Sequence, residues 1–292
     1  MRYALFLGCT VPVRALNYEL SARKVASKLG LELIDLQNFE CCGFPIEDVN
    51  HSASIALAAR NICIAEEKGL NLVTLCSACT GALTKANIKL KEDEKLREEV
   101  NHILKPLGYE FKGKIEVKHF TRALYEDIGI EKLKGFVTKP LNGINVAAHY
   151  GCHYLKPSGI FKGIESPELP ESLDKLIEAT GAKALNYEDK KLCCGGGILG
   201  IDEQTALKIA KIKLEKAKLA GANSLITICP FCSVMYDANQ KAVEVKVGGE
   251  KYDLPVLYYP QLLGLAMGFS PKELGFNLNR VKPKEIEEKF KV

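Results

Sequence analysis

The sequence predicts an α/β protein of two duplicated lobes related by a pseudo-twofold. Each lobe is expected to hold a mostly parallel sheet flanked by helices, with cysteine clusters at the strand carboxyl ends. Three observations predict this. Short apolar runs alternate with segments of helical periodicity along the whole chain. A cysteine pattern occurs twice, as Cys9, Cys41–Cys42, Cys76 and Cys79, then as Cys152, Cys193–Cys194, Cys229 and Cys232. The third is an internal echo: the run from Gly69 to Cys76 matches that from Gly221 to Cys229, with Leu-Val-Thr-Leu-Cys answered by Leu-Ile-Thr-Ile-Cys. Self-similarity at this scale marks a duplicated domain, not a short solenoid repeat.

In chain order, residues 2–8 are a buried-strand run ending at Gly8, and residues 15–29 are helical up to Gly30. Residues 31–36 form a second strand leading to Cys41–Cys42. An Ala-rich helix over 52–68 stops at Gly69, and a third strand over 70–75 delivers Cys76-Ser77-Ala78-Cys79 to the start of a helix. A charged helix over 91–105, a strand over 115–120 and a helix over 121–129 complete the first half. The second half places strands at 144–149, 224–228 and 254–259, and helices at 172–180, 202–220 and 260–268. Pro140 and Gly143 punctuate the join, so the domains are expected at 1–139 and 140–292. The halves differ most over 154–170, a Pro- and Gly-rich loop whose Ile160 and Phe161 argue that it packs on something.

Composition narrows the class. The 292 residues are 47% hydrophobic and 26% charged, as in globular proteins, and leave room for two lobes that each bury a core. A net charge of +4 without a basic tract argues against nucleic acid or a polybasic membrane surface as partner. No window approaches a membrane-spanning length. The apolar N-terminus is too short for a signal peptide and runs into Cys9, so a cytoplasmic protein is expected. In a reducing compartment, regular cysteines bind metal or do redox chemistry more often than they form structural disulfides.

Ten of the eleven cysteines belong to the doubled pattern, five per half. A structural zinc takes four ligands and would idle a fifth. A thioredoxin-type centre needs only Cys-x-x-Cys and does not explain Cys-Cys-Gly. An ordinary iron–sulfur cubane also takes four cysteines. Soft thiolates in fives therefore suggest a larger or unusual iron–sulfur cluster, with glycines letting backbone amides approach the sulfur.

The doubled C-x31-CCG…CxxC and C-x40-CCGGG…CxxC pattern resembles the cysteine-rich CCG domain family. Two such domains in one chain, over roughly residues 2–268, resemble the B subunits of CoB–CoM heterodisulfide reductases. The resemblance implies two [4Fe–4S] clusters of noncubane type, each held by one five-cysteine set. It implies reduction of the mixed disulfide of coenzyme M and coenzyme B in methanogenesis, one electron coming from each cluster. It further implies two partners, a ferredoxin-like C subunit plus a flavin-bearing A subunit, served by a hydrogenase or formate dehydrogenase. The site is expected between Cys9/Cys41–Cys42 and Cys152/Cys193–Cys194. Relatives of the same domain serve 2-hydroxyacid and succinate/fumarate oxidoreductases as iron–sulfur electron-transfer subunits, and that reading stays open. So does a zinc-binding scaffold, which would be colourless.

Other residues have a functional and a plainer reading. His153, directly after Cys152, is a candidate proton donor or a packing histidine. Arg14, Lys156 and Lys162 flank the expected cleft and either meet the anionic groups of the coenzymes or are solvated surface cations. Cys63 falls on the Ala-rich helix at a buried spacing and reads as a small core residue. Gly195–Gly197 lacks the G-x-G-x-x-G spacing of a dinucleotide loop. The charged helices over 91–105 and 202–220 read as amphipathic cover for the sheets.

Overall fold

A computed structural model of the chain describes residues 1–161 and 165–290. Two four-stranded sheets form, every strand pair within them parallel. In the first, β1 (Arg2–Phe6), β2 (Glu32–Ile34), β3 (Asn71–Thr74) and β4 (Val117–His119) lie in the order β2-β1-β3-β4. In the second, β5 (Asn145–His149), β6 (Lys183–Leu185), β7 (Ser224–Thr227) and β8 (Val256–Tyr258) repeat it as β6-β5-β7-β8.

The covering helices are α1 (Val11–Arg14), α2 (Leu16–Lys28), α3 (His51–Glu66), α4 (Ser77–Glu92) and α5 (Glu94–Leu104) in the first half. The second half supplies α6 (Cys152–Leu155), α7 (Ser172–Glu178), α8 (Glu203–Leu219), α9 (Pro230–Ser233) and α10 (Tyr259–Ala266). Local chemistry sets their limits. The Asn50 side chain caps α3 by accepting from the Ala53 amide, and Asp202 caps α8 through Thr205. Gly30 and Gly69, just beyond α2 and α3, take the left-handed backbone that ends a helix.

Three local expectations are corrected. The charged helix begins at Glu94, not 91, because Asp93 is extended and its carboxylate caps the Leu96 amide; residues 91–92 end the longer α4. The helix over 121–129 is a short α-turn that passes into a π-helix at Ala123–Ile128. Strand β6 is not expected from the sequence, since three residues carry too little periodicity.

The two lobes do not seal separate cores. Strand residues alternate sides: Tyr3, Leu5, Val146 and Ala148 face one apolar layer, while Ala4, Phe6 and Ala147 face the other. Both layers run through both halves, and α2 of the first lobe packs on α10 of the second. The segment after residue 268 joins this core, with Leu274, Phe276 and Ile286 buried. Asn279 ties it in, donating to the Val256 carbonyl and accepting from Asn17 of α2 at 3.2 Å.

Polar contacts cross the seam at one carbonyl. Ile228 O accepts from the Tyr18 hydroxyl at 3.1 Å and from His119 Nε2 at 2.9 Å. The Thr121 amide donates to His119 Nδ1, which fixes the neutral Nε2–H tautomer. Burial drives the His119 pKa down to about 4. Folding therefore favours the neutral ring. Its contribution is complete above the unfolded value near 6.5 and is lost as pH falls towards 4. We expect denaturant unfolding to show roughly 3 kcal/mol of acid destabilisation over that window from this residue. The His119→Gln variant should have a visibly shallower dependence; an unchanged slope would contradict a buried neutral ring.

Candidate functional site

All six cysteine stretches emerge at the carboxyl ends of strands. Cys9 follows β1, Cys41–Cys42 follow β2, and Cys76 caps α4 after β3; Cys152, Cys193–Cys194 and Cys229 repeat this after β5, β6 and β7. Parallel sheets place such loops at one edge, where ligands gather. All ten motif cysteines and Cys63 are free thiols.

The ten sulfurs form an ordered succession. In the first lobe Cys41 neighbours Cys9 and Cys42, Cys42 neighbours Cys79, and Cys79 neighbours Cys76. In the second, Cys152 neighbours Cys193, then come Cys194, Cys232 and Cys229. The two successions meet where Cys76 Sγ lies 3.9 Å from Cys229 Sγ. From end to end, the order mirrors itself about that contact. Cys42, Cys76, Cys79, Cys194, Cys229 and Cys232 are buried, while Cys9 and Cys193 are exposed and Cys41 and Cys152 half-buried. Each succession therefore runs from solvent to the seam. Among the described residues, no three His, Cys, Asp or Glu side chains converge on one point as a mononuclear metal site requires.

Protons are shared unequally along these chains. The neighbouring Cys79 thiol leads in lowering the Cys42 pKa, and those of Cys152 and then Cys194 lower that of Cys193. The partners that hold the protons, Cys79 and Cys152, are pushed up, chiefly by the same contacts. Backbone amides also serve the sulfurs: Gly195 N donates to Cys193 Sγ and Gly196 N to Cys194 Sγ, each at 3.4 Å. In the first lobe the Gly43 and Phe44 amides lie near enough to Cys41 and Cys42 to favour their thiolates. Two thiol-rich sets with amide donors aimed at sulfur suit iron–sulfur ligation. A Cβ at Gly8 would stand 3.0 Å from Cys79 Sγ, so the backbone there is held close to sulfur.

The remaining candidates separate. His153 is half-buried at the lobe seam, its ring edge-on to Phe44 with centroids 4.5 Å apart and its Cβ facing Gly81. Burial lowers its pKa. Arg14 lines a cavity between α1 and α9; Lys156 is exposed; Lys162 lies outside the described residues. Cys63 is buried in the core, and burial raises its thiol to about 12. The 154–170 loop does pack: Phe161 is buried with the Arg122 guanidinium 4.1 Å from its ring.

Two residues near the second set escape a reading of the sequence. Lys213 of α8 is fully buried, donates to the Asp189 carbonyl and lies 5.2 Å from the Tyr187 ring. Burial brings its pKa down to about 7. Its signal is present in the chain, since Ala206, Ala210, Lys213 and Ala217 share one helical stripe. His149 ends β5 fully buried, its ring edge-on to Tyr236, and neither ring nitrogen has a partner among the described residues.

Gly195 sits at φ +79°, where a Cβ would meet the Ala206 carbonyl oxygen at 2.8 Å; Gly197 has open space. We expect Gly195→Ala to cost about 1–3 kcal/mol in denaturant unfolding and Gly197→Ala to cost almost nothing. Equal costs would contradict the described turn.

The cysteine-rich CCG domain family matches residues 3–84 and again 146–237. The B subunit of a ferredoxin/F(420)H(2)-dependent CoB-CoM heterodisulfide reductase of Methanosarcina acetivorans is 41% identical over 96% of this chain and 94% of its own length. The B subunit of a ferredoxin:CoB-CoM heterodisulfide reductase of Methanosarcina mazei is 40% identical with the same coverage. The "8-methylmenaquinol:fumarate reductase membrane anchor subunit" of Wolinella succinogenes is 33% identical over 95% of this chain and 96% of its own. A crystal structure of a hypothetical protein from Helicobacter pylori shares the fold, with a TM-score of 0.78 at 18% identity; the match covers 96% of this chain and 52% of that one. With the doubled sheets and the mirrored cysteines, these matches place the chain among the two-CCG-domain proteins of the heterodisulfide reductase family, as one of its B subunits.

Proposed function

We propose that this chain is a catalytic subunit that reduces the mixed disulfide of coenzyme M and coenzyme B to two thiols. One observation carries the reading: both five-cysteine sets are complete, and they meet where Cys76 and Cys229 approach to 3.9 Å. Cys9, Cys41, Cys42, Cys76 and Cys79 would hold one [4Fe–4S] cluster of noncubane type, and Cys152, Cys193, Cys194, Cys229 and Cys232 the other. Clusters so held supply single electrons, and a disulfide needs two. The Gly195 and Gly196 amides stabilise negative charge on the second set's sulfurs. His153, kept neutral by burial, would donate a ring N–H hydrogen bond to a substrate sulfur. Arg14 and Lys156 would meet the anionic ends of the substrate.

In this reading the chain is cytoplasmic and works with two electron-donating partners, one ferredoxin-like and one flavin-bearing, supplied by a hydrogenase or formate dehydrogenase. No helix among the described residues is long and apolar enough to cross a membrane. A second reading is favoured by the 33% identity to the fumarate reductase protein: electron transfer without disulfide chemistry.

Anaerobically purified protein should contain about eight iron and eight sulfide, as two four-iron clusters require, and should reduce the mixed disulfide with a reduced viologen dye. The variants Cys42→Ser and Cys194→Ser should each lose about half the iron and at least about 100-fold in turnover. Iron-loaded protein without disulfide turnover would favour the electron-transfer reading. Full turnover with one set disabled, or zinc in place of iron, would overturn the proposal.

A further inference from the structure

The duplication supplies an internal comparison, because each position beside one cysteine set has a counterpart beside the other. Three buried pairs differ in kind. Phe6 and His149 sit opposite Thr74 and Thr227 in their sheets, the residues two before Cys76 and Cys229. Leu83 and Tyr236 come four residues after Cys79 and Cys232. Asn61 and Lys213 come eighteen residues after Gly43 and Gly195. The first set therefore has two hydrocarbon side chains and a neutral amide where the second has an imidazole, a phenol and an amine. Asn61 is already satisfied, donating to the Cys41 and Leu57 carbonyls and accepting from the Glu40 amide. Arg60 beside it is paired with Glu40 at 3.4 Å.

The three second-lobe groups are buried and act on the sulfurs. Lys213 lies within electrostatic reach of Cys194 and Cys232, Tyr236 of Cys193, Cys194 and Cys232, and His149 of Cys193 and Cys229. Lys213 donates to the Asp189 carbonyl and forms no ion pair among the described residues; the adjacent Lys190 is engaged by Asp174 at 2.5 Å. Among the described residues, neither ring nitrogen of His149 nor the Tyr236 hydroxyl has a hydrogen-bond partner. A buried donor without an acceptor is costly, and cluster sulfur held by the same cysteines accepts hydrogen bonds. A desolvated cation and donors to sulfur both favour the more negative, reduced form of an iron–sulfur cluster.

We propose that Lys213, supported by the His149 and Tyr236 donors, makes the second set's cluster the more readily reduced of the two, so that the first electron entering the chain rests there. The electron comes from a one-electron donor of the ferredoxin class. No bond forms or breaks, and the Lys213 ammonium offsets the added negative charge. The first set, reduced second, is then the stronger reductant. Lys213 acts through the surroundings of the sulfurs and is a positioning residue. The inference rests on the iron–sulfur occupancy proposed above and does not require disulfide turnover.

The test is an anaerobic redox titration of the cluster-loaded full chain, read by visible and paramagnetic-resonance spectra. It is run near pH 6, below the Lys213 pKa of about 7, so that the amine is charged. We expect two one-electron steps at least about tenfold apart in reduction equilibrium, or about 59 mV. Cys42→Ser should keep the upper step and Cys194→Ser the lower. Adding Lys213→Met to Cys42→Ser should move the remaining step down about tenfold, again about 59 mV, while adding it to Cys194→Ser should move nothing. Tyr236→Phe removes a hydroxyl without a partner, so it should fold normally and lower the upper step by about threefold. Equal steps, an upper step retained in Cys194→Ser, or a second-set step unmoved by Lys213→Met or by Tyr236→Phe would each overturn the inference. So would an equal shift in the first-set background, which marks a structural effect. Any of these in a chain that still reduces the disulfide leaves the proposed activity standing. Unequal, Lys213-dependent steps without disulfide reduction keep the inference and remove the activity; zinc in place of iron removes both.

Discussion

The structure depends on the meeting of two strand ends. Strands β3 and β7 deliver Cys76 and Cys229 to a 3.9 Å contact, and the other cysteines fall into order on either side of it. Ten thiols crowded without a partner would be costly if left charged, so the apoprotein shares protons along them and the backbone lends amides to the outer members. Metal-bound sulfide would meet the same donors. The crowding is thus a strain that the packing of the lobes must be strong enough to hold.

They are held by burial that ignores the lobe boundary. Two apolar layers run through both sheets, so the lobes cannot separate without exposing core. The polar contacts add direction. Tyr18 and His119 converge on one carbonyl of the opposite lobe, and Tyr18 stacks on Tyr258 with ring centroids 4.1 Å apart. His119, which shares that carbonyl, stands edge-on to Tyr154 of the second lobe. Both aromatic pairs join residues of opposite lobes.

Duplication sets up symmetry, and function breaks it. One seam is packed by Phe161 under a buried arginine, while the other keeps an open cavity lined by two unengaged ones. The second set alone has the buried lysine Lys213 within electrostatic reach of its sulfurs. In the matching helix of the first lobe, the buried polar residue is instead the neutral Asn61, whose amide holds the Cys41 carbonyl. When protonated, a desolvated lysine beside one set stabilises negative charge there more than on its mate. The two pseudo-equivalent sets therefore sit in unlike surroundings.

Much of this was legible in the sequence. The cysteine spacing fixed which residues form each set, because strand, loop and helix lengths put each motif after a strand. The echo between residues 69–76 and 221–229 disclosed the duplication, and helix stops at Gly30, Gly69 and Gly181 needed only local backbone freedom. Cys63 read correctly as core from its place in an apolar stripe. What the sequence could not disclose is everything that depends on which distant surfaces meet. The mirrored order of the sulfurs, the shared layers, the closing of one seam and the opening of the other join residues far apart in the chain. Arg280 and Asn17 are one surface only because Leu274 and Phe276 bury the C-terminal segment against the seam. Local propensity carries no record of such contacts, because hydrophobic burial has no direction until the whole chain has chosen its packing.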